Sequence, residues 1–444
     1  MTFTKCLPYD YAMVKLAATT VKNVLDTILN GIAACKDDFV VCPGVDFTRN
    51  RACPFETTMR IILGMHGGSL RKELIDLFPD INDRITASAL VQQRGKIKPD
   101  AFIKAFNEFN HATAHYDSLN HMGYHLFAVD GSAINIAKNP DSDTYFQQGF
   151  NQIHLVALYD ICNKTYRDAV IQPRPKMNEN AALKCMVRRT KLPEKSIIIC
   201  DRLFGQYSIY ETIRRTGADY LVRVSNSYSK ETRELPMEEL DIDKTIELRT
   251  TQTKQDKADF KAGKAKYITG LSKFGKDKRN VTWEYESPFQ LNMRIVRFQL
   301  VSGEYETIVT SLNRFEFPME EIKRLYSMRW GIETSFRELK YDVGLTHLHA
   351  RKEDCVIQEI YAHMLMYNFS MRIAMHVGLT KSCRKYNYKV NFANAFYICR
   401  RFFWGVISNV EAEISSQLLP IRPGRTDKRK LLPKTFVSFA YRVA

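Results

Sequence analysis

Apolar residues change their spacing several times along this 444-residue chain, and each change marks a new kind of element. Over residues 1–119 the spacing is helical. Thr58–Leu63 and Ser69–Leu77 repeat apolar positions every three or four residues, Pro79-Asp80 breaks the pattern, and Thr86–Arg94 and Asp100–Phe109 resume it. From Tyr124 the spacing becomes that of strands. His125–Asp130 predicts a strand ending in Asp-Gly-Ser, and Gln152–Asp160 and Thr165–Gln172 predict two more around the turn Asn163-Lys164. Glu179–Arg189 predicts a helix. Ser196-Ile-Ile-Ile-Cys-Asp201 is short and fully apolar before its last residue, which suits a central strand. Gln206–Thr216 predicts a helix and Tyr220–Val224 a strand. A three-strand meander is thus followed by α/β alternation.

Residues 226–303 are polar and rich in Lys and Thr, with alternating runs at Thr245–Arg249, Val281–Tyr285 and Met293–Val301, as in an inserted β-rich module. Thr307–Leu312 predicts an apolar strand again. One helix then carries Tyr326 to Lys340, and a second covers residues 354–377. The expected organisation is a helical, DNA-binding region over 1–119, a core over 120–225 and 304–380, a β-rich insertion over 226–303, and a basic C-terminal region over 381–444.

Charge sharpens this division. The net charge is +16, and residues 381–444 (+10) with residues 251–280 (+6) account for all of it. Basic stretches so localised point to a polyanion, with nucleic acid as the default. Met1–Leu16 has no clean apolar core, so no signal peptide is expected. The most apolar later stretch, 356–379, is interrupted by Gln358, Glu359, His363, Asn368 and Arg372 and predicts a buried helix, not a membrane span. Ten scattered cysteines without a CxxC pair suit a reduced, cytoplasmic protein. His347 and His349 lack Cys/His partners at zinc spacing and are expected in a loop.

The chemistry concentrates on the helix of Tyr326. Tyr326, Arg329, Glu333, Arg337 and Lys340 stand 3, 4, 4 and 3 residues apart, so a regular helix puts them within an arc of roughly 80°. A carboxylate flanked by cations and a phenol can be a solvated face with ion pairs along it. Here Leu325, Met328, Ile332, Phe336 and Leu339 run beside it, so the charged face borders the core. Asp130 and Asp201 each end a predicted strand, and adjacent strands would bring them together. Three converging carboxylates need cations, and Mg²⁺ or Mn²⁺ suits an all-oxygen site. Two such ions can promote phosphodiester cleavage. The chain has no Walker A loop, dinucleotide glycine fingerprint or serine nucleophile elbow.

These residues resemble the DDE transposases of bacterial insertion sequences, in the group marked by a Tyr-Arg-Glu-Lys signature (insertion-sequence family four). The resemblance rests on Asp130, Asp201 and Glu333 in order, on Tyr326, Arg329, Glu333 and Lys340 at the signature spacing, and on the contexts Val-Asp130-Gly-Ser and Cys-Asp201-Arg-Leu-Phe. Val343-Gly344-Leu345, His349-Ala-Arg351 and Ser88-Ala-Leu-Val-Gln-Gln-Arg94 extend it across residues 55–440. It implies an RNase H-like core interrupted by the β-rich insertion, which accounts for the 132 positions separating Asp201 from Glu333. It implies Asp130, Asp201 and Glu333 as catalytic metal ligands for two Mg²⁺ or Mn²⁺ ions. It implies cut-and-paste transposition at terminal inverted repeats with joining to target DNA, by a homodimer in the bacterial cytoplasm at the nucleoid. Tyr326, Arg329 and Lys340 would grip the phosphates of the element's end. Arg337 shares their face without being part of the signature. Trp283 and Tyr305 are the two candidates to stack on a flipped base, and Trp330 is expected to pack. The basic C-terminal region binds DNA, dimerises, or does both. An RNase H-like nuclease without transposition and an inactive DNA-binding descendant are the alternatives.

Overall fold

The computed structural model describes residues 17–49, 53–146, 150–226, 230–248, 254–262, 289–377 and 387–422. Trp283, the run Val281–Tyr285 and the basic run Arg422–Lys430 beyond its first residue lie outside them. Along the chain come α1 (Ala18–Ala34), α2 (Lys36–Phe39), α3 (Phe55–Gly64), α4 (Leu70–Leu77), α5 (Ala87–Arg94) and α6 (Asp100–Thr113), then β1 (His125–Ile136), β2 (Tyr145–Phe146), β3 (Phe150–Asp160) and β4 (Thr165–Pro173). There follow α7 (Glu179–Arg189), β5 (Ser196–Cys200), α8 (Tyr207–Arg215), β6 (Asp219–Val224), α9 (Lys230–Arg233), β7 (Leu240–Leu248), α10 (Lys254–Lys261), β8 (Phe289–Gln299) and β9 (Tyr305–Thr310). The chain continues through α11 (Met319–Met328), α12 (Trp330–Arg337), a π turn at Glu338–Asp342, α13 (Glu353–Ala374), β10 (Tyr388–Lys389), α14 (Phe392–Phe403), α15 (Val410–Ser416) and β11 (Leu419–Pro420).

The fold is α/β, organised on one large mixed sheet of order β2-β3-β1-β5-β6-β9-β8-β7, with β4 paired to β3. β1, β3 and β4 are antiparallel, whereas β1, β5 and β6 run parallel. The meander and the α/β alternation are both present. One local expectation changes. β1 does not end at Asp130 but runs on to Ile136, because pairing with β3 continues through Gly131 and Ser132. β7 and β8, from the stretch 226–303, pair onto the central sheet through β9.

Side-chain alternation sends the sheet's two faces into different cores. Phe127, Val129, Ile198 and Cys200 pack with Ala182 and Leu183 of α7 and Ile209 and Tyr210 of α8. On the opposite face, Ala128 joins a core with Ile332 and Phe336 of α12, while Ile197 and Ile199 join one with Leu325 and Tyr326 of α11. The helix α13 is buried nearly all round, as a helix without a polar face must be. Several of its buried polar groups are paired: Asn368 with Asn110 and Tyr166, Arg372 with Asp117, and Glu359 with Arg94. The N-terminal helices share this core, since Val21, Leu25, Phe102 and Phe106 belong to the same apolar cluster as Leu365 and Phe402. Among the described residues, no helix is long and apolar enough to cross a membrane.

Candidate functional site

Strand register brings the two aspartates together. β1 and β5 pair in parallel, with His125 opposite Ser196 and Val129 opposite Cys200. The next position on each strand is Asp130 and Asp201. Both fall on the face of Ala128 and Ile199, which α11 and α12 cover. Asp130 accepts the amide of Gly131 at 2.8 Å, and Asp201 caps a short 3-10 turn by accepting the amide of Leu203 at 2.8 Å. Glu333 stands in the first turn of α12, whose Ile332 and Phe336 enter the core beneath it.

The helical segment is not one regular helix. Arg329 separates α11 from α12, and the backbone widens to a π turn over Glu338–Asp342, closed by the Val343 amide on Glu338. Such turns shift every later side chain around the axis, and periodicity in the sequence does not reveal them. Lys340 therefore points to β1, where its amine donates to the carbonyl of Ala133 at 2.9 Å. Burial lowers its pKa. The π turn is held from behind by Tyr367, whose hydroxyl donates to Glu338 at 2.9 Å and meets Tyr159 at 3.1 Å. Tyr166 likewise donates to Ser335 at 2.9 Å.

Arg329 is the hinge of the electrostatics. Its guanidinium lies 2.5 Å from Glu333 and 3.5 Å from Asp130, on a side chain only 9% exposed. It also lies over the rings of Tyr326 and Trp330, at 5.8 and 5.7 Å. Burial pushes Asp130 up to about 6. The Gly131 amide and Arg329 oppose that rise, while Asp201 and Glu333 add to it. The three carboxylates thus feel one another. Among the described residues, no three His, Cys, Asp or Glu side chains stand close enough to hold a metal ion as they are placed. The donors themselves fit a hard divalent cation: they are all carboxylate oxygens, they repel one another, and one cationic side chain already draws two of them together.

Tyr326 is buried, and burial raises its phenol while Arg329 and Arg223 pull it down. Arg223 stands beside the Tyr326 hydroxyl as a donor, so the hydroxyl has no acceptor for its own proton, and the Nε of Arg329 makes no hydrogen bond among the described residues. Arg337 is exposed. Trp330, expected to pack, is 61% exposed, because it sits one position off the apolar stripe where α11 gives way to α12. Tyr305 opens β9 and lines a cleft of about 410 Å³ with Arg202, Arg223 and Asn226.

Three further features surround the site residues named from the sequence. Arg223 of β6 pairs with Glu306 of β9 at 3.2 Å, and both act on Tyr326. Arg202 follows Asp201 directly and was readable from that position alone. On the far face of β1, His154 and Glu179 pair at 2.5 Å against Gly131. Arg174 donates to His154 Nδ1 at 3.1 Å, so the ring proton is on Nε2, directed at Glu179. No local motif announces that long-range contact.

The transposase DDE domain family model matches residues 121–369, more than half of the chain and every candidate residue from Asp130 to Lys340. No curated protein sequence matches the chain. Among solved structures, the cryo-EM structure of the piggyBac transposase synaptic complex with hairpin DNA is similar at 10% identity. The match covers 95% of this chain and 90% of that one, with a TM-score of 0.44.

Proposed function

The chain belongs to the transposase DDE domain family, and from that membership we propose that it moves its own insertion sequence by cut-and-paste transposition, cleaving DNA at terminal inverted repeats and joining the freed ends to target DNA. Asp130, Asp201 and Glu333 are the catalytic residues in this reading, set on an RNase H-like core. The observation that carries it is the parallel register of β1 and β5, which sets Asp130 beside Asp201 under the helix of Glu333.

The three carboxylates would hold Mg²⁺ or Mn²⁺, two ions in all, which when bound supply activation of the attacking oxygen and stabilisation of the leaving one. The remaining work falls to the chain's own side chains. Tyr326 and Arg329 are buried donors lacking a full set of acceptors, and phosphate oxygens supply acceptors. Lys340, at the rim of β1, adds a point charge to the same grip. Arg337, exposed on the same segment, meets the backbone further out. The exposed ring of Trp330 and the cleft-lining ring of Tyr305 are surfaces on which an unpaired base can stack. Trp283 belongs to this reading only as the other stacking candidate. Two copies of the chain acting on the two ends of the element complete it.

The test uses purified full-length chain, Mg²⁺, and DNA taken from both flanks of the reading frame. Cutting at inverted repeats is expected. Glu333→Gln and Asp130→Asn should abolish cutting and keep DNA binding. Unchanged cutting by Glu333→Gln would sink the assignment.

A further inference from the structure

Arg329 serves two carboxylates from two different elements. One nitrogen lies 2.5 Å from Glu333 on α12 and another 3.5 Å from Asp130 on β1. The planar guanidinium does this with separate nitrogens held in a fixed fork, where an ammonium would be a single point charge. The third nitrogen, Nε, is buried and unpartnered among the described residues. The guanidinium is therefore committed to the carboxylates yet incompletely satisfied by them. The surroundings offer it no better carboxylate. Glu306, the other acid that acts on Arg329, is already paired with Arg223. Asp201 spends one oxygen capping its own turn.

A phosphate from a DNA end is the acceptor this arrangement lacks. It would take the guanidinium fork and the neighbouring Tyr326 hydroxyl together. Moving Arg329 to a phosphate uncovers Asp130 and Glu333 and leaves two carboxylates facing each other without a cation, the condition in which a divalent ion binds best. We propose that Arg329 is a resident cation that competes with the catalytic metal for Asp130 and Glu333, and that a DNA phosphate draws it away, so that metal loading and DNA-end engagement reinforce each other. The inference rests on the reading of Asp130 and Glu333 as metal-holding residues. Reciprocity then follows: whatever factor DNA adds to metal affinity, metal adds to DNA affinity. A chain without DNA would carry a poorly loaded, idle centre.

The test is a titration of full-length chain with Mn²⁺ alone, followed by electron paramagnetic resonance of the unbound ion. It compares the wild type with Arg329→Gln, Arg329→Lys and Asp130→Asn, first without DNA and then with a short duplex from the flank of the reading frame. Without DNA, Arg329→Gln should bind Mn²⁺ about tenfold tighter than the wild type, within the usual range of coupling between sites. Arg329→Lys, which keeps the charge but not the fork, should fall between them and serves as the readout if the Gln variant is poorly folded. The duplex should raise the wild-type affinity by a similar factor and leave Arg329→Gln nearly unchanged. Equal affinities of the wild type and both Arg329 variants, with Asp130→Asn still abolishing binding, overturn the competition and leave the carboxylate reading standing. Mn²⁺ binding that ignores Asp130→Asn overturns the carboxylate reading, and this inference with it.

Discussion

Arg94 and Glu359 meet at 2.6 Å inside the core, with side chains 3% and 0% exposed, and tie α5 of the N-terminal region to α13 beneath the candidate site. The pair is well supplied with further bonds. Arg94 also donates to the carbonyl of Cys355 at 2.9 Å, and the amide of His349 donates to Glu359 at 2.8 Å. Removing one partner would strand the other charge in an apolar interior. Arg94→Ala is therefore expected to cost about 3–5 kcal/mol of stability. Urea denaturation of the full chain measures it, and a loss below about 1 kcal/mol would contradict the burial.

The same pair makes a prediction about acid. Burial alone would raise Glu359, but Arg94 and His349 more than offset that and hold it down at about 2. Its unfolded value is about 4.3. Between those two values the unfolded chain binds the extra proton, so stability rises with pH through this window. The contribution of Glu359 is complete above about pH 5 and is lost as pH falls through about 2. Melting temperatures measured across this range should slope upward for the wild type and more gently for Glu359→Gln at this step.

Gly131 is constrained from behind. A Cβ there would lie 2.3 Å from His154 Nε2 and 2.5 Å from Glu179 Oε1, closer than side chains tolerate. Gly131→Ala should destabilise the chain by about 1–3 kcal/mol through overpacking. Because the Gly131 amide also holds Asp130, cutting should fall further than DNA binding does. Parallel binding and cleavage assays separate the two, and equal losses in both would argue against a shift of Asp130.

Lys340→Ala removes a cation that stands at the rim of β1, three residues beyond Asp130. If its amine exchanges the Ala133 carbonyl for a phosphate, DNA affinity should drop similarly for every duplex. The slope of log affinity against log salt should shrink by about one phosphate's worth. Fluorescence anisotropy over a salt series reads that slope, and a slope equal to that of the wild type counts against a phosphate contact.

Much of the scaffold could be read before the structure. Fully apolar Ile197–Ile199 marks a central strand, and Asp130 and Asp201 each close an apolar run, because strand period and burial are local properties; that the two strands are neighbours is a matter of pairing. The strand of Asp130 was nevertheless cut short: Gly131-Ser132 has the composition of a turn, and only pairing with β3 keeps it extended. The helix Ala18–Ala34, with Val21, Leu25, Leu29 and Ile32 at helical spacing, falls within the region whose pattern is helical. The ion pair of Arg329 with Asp130, the bond from Lys340 to Ala133 and the packing of His154 on Gly131 join residues far apart in the chain, and no periodicity encodes such meetings. Ser88–Arg94 is recognisable as a motif, but the burial of its Arg94 against α13 emerges only when the two helices are packed together.

Leu248 and Phe289 face each other as the last paired positions of β7 and β8. The chain therefore departs from the outer edge of the sheet and comes back to the same point. Among the described residues between them there is the helix α10 and no strand, so the order of the sheet from β7 to β5 does not depend on it. That edge is a docking port in the architectural sense. An engineer can graft a new binding element there, four strands away from the β1–β5 pairing that sets Asp130 beside Asp201.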